Sequence, residues 1–309
     1  MNRTRGADVA VALPSAVDLP GVLLGLAVPH EDVDDLVALL PYPDRDPQVW
    51  WLLRRSVQAL VRAMGTLHGP ADVARLPGQA GGLHRYFPVY VFVAALPHVR
   101  AYHRSRGIPD EVSRLTLADL GRAMARHRTR HGIGGLDLGH WLVPHFVGGL
   151  YQLGRLQFQR ARLDGRTGRA IAAAGLSYGP GDPALAVHIP AYCGPLSPAA
   201  CDASFARART FFARHFPEER PGVATCHSWL LDPQLAGYLP AGANILAFQR
   251  RFRLAYPPEP DDGAIVEFVF GRRDAALDDP PRRTTLERAV VDHLRAGRHW
   301  CSGAGWLAW

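Results

Sequence analysis

Between residues 184 and 232 the chain gathers side chains suited to chemistry: His188 at the end of an alternating run, followed by Ile189-Pro190, and then Cys226-His227-Ser228-Trp229-Leu230-Leu231. A histidine, with an ordinary pKa of about 6.5, is substantially neutral at pH 7 and can take a proton from an attacking amine or hydroxyl. His188 and His227 are the two candidates for that base. The other reading of His188 is a strand-end histidine hydrogen-bonded to neighbouring backbone. Cys226 is a covalent nucleophile if a base stands beside it, and a buried structural thiol if not. Strand alternation puts His227 and Trp229 on one face and Cys226 and Ser228 on the other, so only one set can face a reacting group. Glu267 interrupts the apolar run 265–270 and is either a further base or amine anchor, or an exposed edge residue.

These residues need elements to hold them. Leu185, Val187 and Ile189 alternate with Ala184, Ala186 and His188, which predicts a strand ending at Pro190, its small-residue face leaving room for something. After a short loop, Ser197 is a natural helix N-cap and Pro198 a preferred first helical residue, with Cys201, Phe205, Ala208 and Phe212 as the buried stripe. Residues 223–231 predict another strand, 235–251 at least one helix, and 264–270 a further alternating strand. Asp232 before Pro233 reads as a helix cap, Thr284 with Glu287 as a capping box, and 303–309 as a terminal strand. Leu156 and Phe158 alternate with Arg155, Gln157 and Gln159, predicting a strand over 153–159, and 160–181 reads as a hairpin connection or exposed loop.

The first half has a different texture. Apolar residues at Trp50, Leu53, Val57, Leu60, Val61 and Met64 predict a helix over 49–64. Residues 88–104 continue the helical pattern, with Pro97 expected to kink or break it. A helix is expected to begin near Thr116, with Asp119 completing its capping signal. The change near Gly132 and the glycine pairs at 134–135 and 148–149 divides the chain into a mainly helical domain, 1–149, and an α/β or α+β domain, 150–309, with a mixed sheet.

Composition excludes more than it suggests. The 309 residues contain no lysine, and all 35 basic side chains are arginine. A Walker-type phosphate loop needs its lysine and Schiff-base chemistry needs an amine, so both classes are set aside. The net charge of +7 suits an acidic partner: a phosphorylated cofactor, an acidic carrier protein or RNA. Arg122, Arg126, Arg128 and Arg130, interleaved with His127 and His131, form either a binding patch or a solvated helix face whose cations complement the helix dipole. The four cysteines lack a C-x-x-C pair and read as free thiols, with no metal expected. No apolar run is long enough for a membrane span, and Asp8 and Asp18 interrupt any signal sequence, so a cytoplasmic location is expected.

Leu153-Gly154-Arg155-Leu156-Gln157-Phe158, the His188-Ile189-Pro190 strand end, residues 226–233, and Asn244-Ile245-Leu246 followed by Phe248-Gln249 resemble an acyltransferase family. Its members join a helical N-terminal region to a C-terminal domain like that of the GNAT superfamily. The resemblance implies a GNAT-like mixed sheet flanked by helices. It further implies direct transfer from a thioester donor, acyl-CoA or phosphopantetheine on an acyl carrier protein, to an amine or hydroxyl of a small molecule. The strand 184–190 would hold the pantetheine. Ile189, Pro190, Ala191, Tyr192, Cys193, Gly194, Leu196 and Ser197 would form the donor loop, and His188, His227, Cys226, Ser228 and Glu267 the catalytic candidates. His140, Trp141, His145 and Trp229 would shape the acceptor pocket. The superfamily's loop pattern, Gln/Arg-x-x-Gly-x-Gly/Ala, is absent here. The other readings are a transferase using aminoacyl-tRNA, a non-catalytic protein binding RNA or a partner through its arginines, and a Cys-His hydrolase.

Overall fold

A computed structural model describes residues 10–67, 73–74, 76, 81–137, 141–271 and 280–309, in two compact units that divide between Tyr151 and Gln152. The first unit contains α1 (Leu19–Gly25), α2 (His30–Ala38), α3 (Pro47–Ala63), α4 (Gly81–Ser105), α5 (Asp110–Leu117), α6 (Asp119–His131) and the short α7 (Val143–Phe146). Helix α3 is the amphipathic helix expected over 49–64: Pro47 opens it, and Leu53, Val57 and Leu60 are buried at helical spacing. Helix α4 lies in the core. Its residues 86–96 are buried all round, as the apolar sequence requires, and it runs through Pro88 and Pro97 without the expected break. A mid-helix proline costs about 3 kcal/mol. Burying the large apolar side chains beside it, at roughly 1.5–3 kcal/mol each, offsets that.

The helix expected to begin near Thr116 is instead two helices meeting at Ala118. Thr116 is buried inside α5 and caps nothing. Asp119 turns its carboxylate to Trp141 and His145. Helix α6 docks through Gly121, whose N–H donates to Leu26 O at 3.1 Å. A Cβ there would fall 1.9 Å from Ala27 O, so only glycine permits the approach.

The second unit carries the sheet. Strand β1 (Leu150–Leu153) straddles the division. It is followed by β2 (Leu156–Arg162), α8 (Gly165–Ala173), β3 (Pro183–His188), α9 (Pro198–His215) and β4 (Val223–Ser228). Two 3-10 turns, Trp229–Leu231 and Pro233–Gly237, lead to α10 (Asn244–Gln249), β5 (Arg253–Leu254), β6 (Glu259–Pro260), α11 (Asp262–Phe270), α12 (Thr285–Arg295) and β7 (Cys301–Ala308). The strand order is β1-β2-β3-β4-β7-β5, with β6 also paired to β7. Strands β2 and β3 are antiparallel, β3 and β4 parallel, and β4 and β7 antiparallel, which is the expected mixed sheet.

The cap signals act as read. Ser197 Oγ accepts from Ala200 N–H, Asp232 Oδ1 from Gln234 N–H, and Thr284 and Glu287 form a reciprocal capping box. Three other expectations are corrected. Residues 153–159 are not one strand, because Gly154, at φ +84°, turns β1 into β2. The stretch 160–181 extends β2 and then forms α8, capped by Asp164 Oδ1 on the N–H groups of Arg166 and Thr167. Its Gly168 lies so close to Pro180 that a Cβ would fall 2.4 Å from the proline nitrogen, so the glycine there serves packing. Finally, 264–270 belongs to helix α11. Asp261 caps it at Ala264 N–H and Gly271, at φ +78°, ends it, and two good caps on a nine-residue helix override the strand preference of Ile265, Val266 and Phe268.

Candidate active site

Strands β3 and β4 pair only through Leu185–Ala224 and Ala186–Thr225. Beyond that point each stays paired to its outer neighbour: β3 to β2 as far as His188–Gln157, and β4 to β7 as far as Ser228–Gly303. The two strands therefore part at their C-terminal ends while both remain supported from outside. At such an opening, the backbone groups that would have continued the ladder face the gap between the strands.

Register and alternation settle which side chains share a face. Gln157, Gln159, Ala186, His188, Thr225, His227 and Ala304 lie on one face of the sheet. Farther down the same face, Ala184, Val223 and Trp306 pack with Ile171 of α8. Leu185, Val187, Ala224, Cys226 and Ser228 lie on the other face with Phe158, whose ring meets Phe205 of α9 at 5.5 Å. Thus the fold brings His188 and His227 to the same face of neighbouring strands, at the residues just past the last β3–β4 pairs.

His188 is half-buried, and its Nε2 donates to Gln159 Oε1 at 2.9 Å. An amide oxygen at that distance selects the tautomer with the proton on Nε2, which places the basic lone pair on Nδ1. His227 is exposed. Nearby, Arg166 and, more weakly, His227 hold the Glu259 carboxyl below the ordinary carboxylate range.

The other catalytic candidates are placed differently. Cys226 is 2% exposed, and burial pushes its thiol up to about 12, so it stays protonated at neutral pH and supplies no thiolate. The nucleophile reading of Cys226, and with it the Cys-His hydrolase, is corrected on that ground. Ser228 Oγ accepts from Leu230 N–H at 3.1 Å and caps the first 3-10 turn. Trp229 belongs to that turn and not to the strand. It is buried, with its ring 5.1 Å from Phe268, and so offers no acceptor surface. Glu267 lies on α11, which removes the strand-edge geometry expected for it.

The donor loop joins β3 to α9. Ile189 follows the strand, Pro190 O accepts from Arg155 Nη1 at 3.0 Å, and Ala191 and Cys193 are exposed. Cys193 and Gly194 are both left-handed, at φ +74° and +77°, which turns the chain toward Leu196 and the Ser197 cap. At Cys193 this conformation costs roughly 1–2 kcal/mol. The Tyr192 hydroxyl accepts from Gln157 Nε2 at 2.9 Å and donates to Gln152 Oε1 at 3.4 Å.

Four residues around this site were not among the candidates that the sequence offered: Gln152, Arg155, Gln157 and Gln159. Gln152, Arg155 and Gln157 are buried, at 2%, 9% and 0% exposure. Alternation put Gln157 and Gln159 on one face, but no local signal says that a face is covered. Arg155 sits in the β1–β2 turn. Ser204 Oγ of α9 anchors that turn by accepting from the N–H groups of Arg155 and Leu156. Burial lowers the pKa of Arg155, and its Nε has no hydrogen-bond partner among the described residues.

In the helical unit, His140 lies outside the described residues. Trp141 donates its indole N–H to Asp119 Oδ2 at 2.9 Å. His145 is fully buried, with Nδ1 on Trp141 O and Nε2 3.1 Å from Asp119 Oδ2, so it braces the fold and presents nothing to an acceptor. The arginine patch is likewise largely engaged: Arg128 pairs with the buried Asp32, Arg130 Nη1 lies 3.5 Å from Asp137, and Arg122 donates to Leu115 O. Arg126 is exposed.

No curated protein matches the chain. Family models do: the N-acyltransferase N-terminal domain over residues 17–148 and the GNAT-like C-terminal domain over 150–307. Among solved structures, an acyltransferase mutant in complex with octanoyl-CoA is 43% identical with a TM-score of 0.89, covering 98% of this chain and 91% of its own. An acyltransferase in complex with CoA and 10C-teicoplanin has the same identity, TM-score and coverage. Another, in complex with decanoyl-CoA and teicoplanin, is 43% identical with a TM-score of 0.88 over the same shares. Among the described residues no helix is long and apolar enough to cross a membrane. A sheet opened between two parallel strands, the two domain models and these neighbours lead to one identification: the chain belongs to the acyltransferases that join an N-acyltransferase N-terminal domain to a GNAT-like C-terminal domain.

Proposed function

We propose that this acyltransferase moves an acyl group from acyl-CoA to an amine of a small molecule, with the pantetheine arm in the β3–β4 opening and His188 as general base. The observation that carries the reading is the parting of β3 and β4 after Ala186 and Thr225. An extended, amide-bearing arm laid there meets strand backbone as an added strand would. The loop 189–197 and the N-terminus of α9 follow β3 directly, and helix N–H groups and dipole favour phosphate without a lysine. Arg155, buried against Pro190, adds positive charge beneath this loop and makes up for the absent glycine pattern.

In the reaction the amine nitrogen attacks the thioester carbonyl carbon. The C–N bond forms and the C–S bond breaks, His188 Nδ1 takes the proton from nitrogen, and the CoA sulfur leaves as thiolate and is then protonated. Gln159 holds the imidazole in the tautomer that this role needs. The neighbours bound to octanoyl-CoA, decanoyl-CoA and teicoplanin support a medium-chain donor and a glycopeptide-type amine as acceptor.

The test is release of CoA and formation of the amide by the purified chain with octanoyl- or decanoyl-CoA and a teicoplanin-type glycopeptide bearing a free amine. Parallel reactions contain an acyl carrier protein or aminoacyl-tRNA as donor. Turnover with acyl-CoA alone supports the reading. Turnover with only a carrier or tRNA donor, or with none, overturns it.

A further inference from the structure

We propose that His127, His131 and Asp137 form a binding site for a transition-metal dication of the zinc type in the helical unit, outside the acyl-transfer site. Residues 127 and 131 are one turn apart on α6, so both imidazoles rise from the same face, with ring centroids 4.4 Å apart. Gly132, at φ +70°, ends the helix, and the chain comes back to present Asp137 to both rings. Asp137 Oδ1 is 3.0 Å from His127 Nδ1, and Oδ2 is 3.4 Å from His131 Nε2. One ligand atom from each residue lies within 4.8 Å of the others.

With the ligand atoms already within 4.8 Å of one another, rotation of the exposed His131 and Asp137 side chains brings them to the spacing of a tetrahedral ion. With metal–ligand bonds of about 2.0–2.1 Å, neighbouring donors in such a site stand about 3.3 Å apart. Two imidazole nitrogens and a carboxylate oxygen are a donor set for Zn2+, Co2+, Ni2+ or Cu2+, whereas Mg2+ and Ca2+ prefer all-oxygen shells. Three protein ligands leave a position for water. The side chains of His131 and Asp137 are 41% and 53% exposed, so an ion has a path in, while His127, 9% exposed, anchors the inner side.

The competing cation is Arg130, with Nη1 3.5 Å from Asp137 Oδ2. A bound ion would displace it and tie residues 132–137 to α6.

The full chain, stripped with a chelator, would be titrated with Zn2+ by calorimetry and followed by thermal melting. We expect one equivalent bound at micromolar or tighter dissociation constant, with a raised melting temperature. His131→Ala and Asp137→Ala change exposed side chains and each should weaken binding at least tenfold, while Arg130→Ala should tighten it. Co2+ should give the visible absorption of a tetrahedral ion in the parent chain and lose it in His131→Ala. The proposal is overturned if the parent binds no better than these two variants, or if Zn2+ leaves its melting temperature unchanged.

Discussion

The histidines of the helical unit and those at the β3–β4 opening start from the same side chain and end in opposite uses. His103 is 1% exposed, with Nδ1 2.8 Å from Ser113 Oγ, and burial lowers its pKa to about 4. His145 is fully buried between Trp141 O and Asp119. At the opening, His188 is half-buried and its neighbour in register, His227, is exposed. Where the fold closes over an imidazole, the ring becomes a brace held by its neighbours, and at His103 desolvation keeps it neutral. Where two strands part beside it, the ring stays at least partly exposed, as the proposed role of general base requires.

The largest effect should separate those uses. His188→Ala is expected to lower kcat by about 10²–10⁴-fold, the usual worth of a general base. Acyl-CoA affinity should hardly change, because the variant removes no part of the donor loop. Steady-state turnover together with calorimetric titration of acyl-CoA reads both. If His227→Ala loses more turnover than His188→Ala, the base is the other histidine.

His145→Ala should cost about 3 kcal/mol of stability, because it leaves a cavity in the core and removes the ring 3.1 Å from the buried Asp119. Denaturant unfolding measures this. The turnover of the molecules that remain folded should stay near the parent value, and a loss as deep as that of His188→Ala would return His145 to the chemistry.

Acid should act on the helical unit through His103. Its folded pKa of about 4 lies below the ordinary 6.5, so between these values the unfolded chain holds a proton that the folded one lacks. Stability is therefore fully present above pH 6.5 and is lost as pH falls through 4, by up to about 3 kcal/mol. His103→Asn should flatten that part of the stability–pH curve. A parent curve already flat between pH 7 and 4 would contradict the assignment.

The smallest effect should come from Cys226→Ala. We expect unchanged turnover within about twofold and a stability loss of about 1–2 kcal/mol for a small buried side chain. Loss of turnover would restore a covalent route.

Much of this was legible in the sequence because it is local. Ser197-Pro198, Asp232-Pro233 and Thr284 with Glu287 cap what they were expected to cap, since a cap needs only the next three residues. Strand β3 and its small-residue face could be read from two-residue alternation. Illegibility begins where distant chain decides. Pro97, itself exposed, sits in an unbroken helix because residues 86–96 and Val99 around it are buried in the core, whereas α11 is a local case in which the caps Asp261 and Gly271 outweigh side chains that favour strand. The buried Gln157 and Arg155 looked like the wet side of a strand, and only packing reveals that this side is covered.

The amino-acid sequence by itself determined the absence of lysine chemistry, the helix starts after Ser197 and Thr284, and the alternation that puts His188 opposite Leu185 and Val187 across its strand. Those properties follow from composition and from backbone periodicity. Only the tertiary structure decided that β3 and β4 part after two pairs, that His188 and His227 share a face, and that Cys226 is sealed away. Strand register and desolvation are set by residues dozens of positions apart, so no local pattern encodes them.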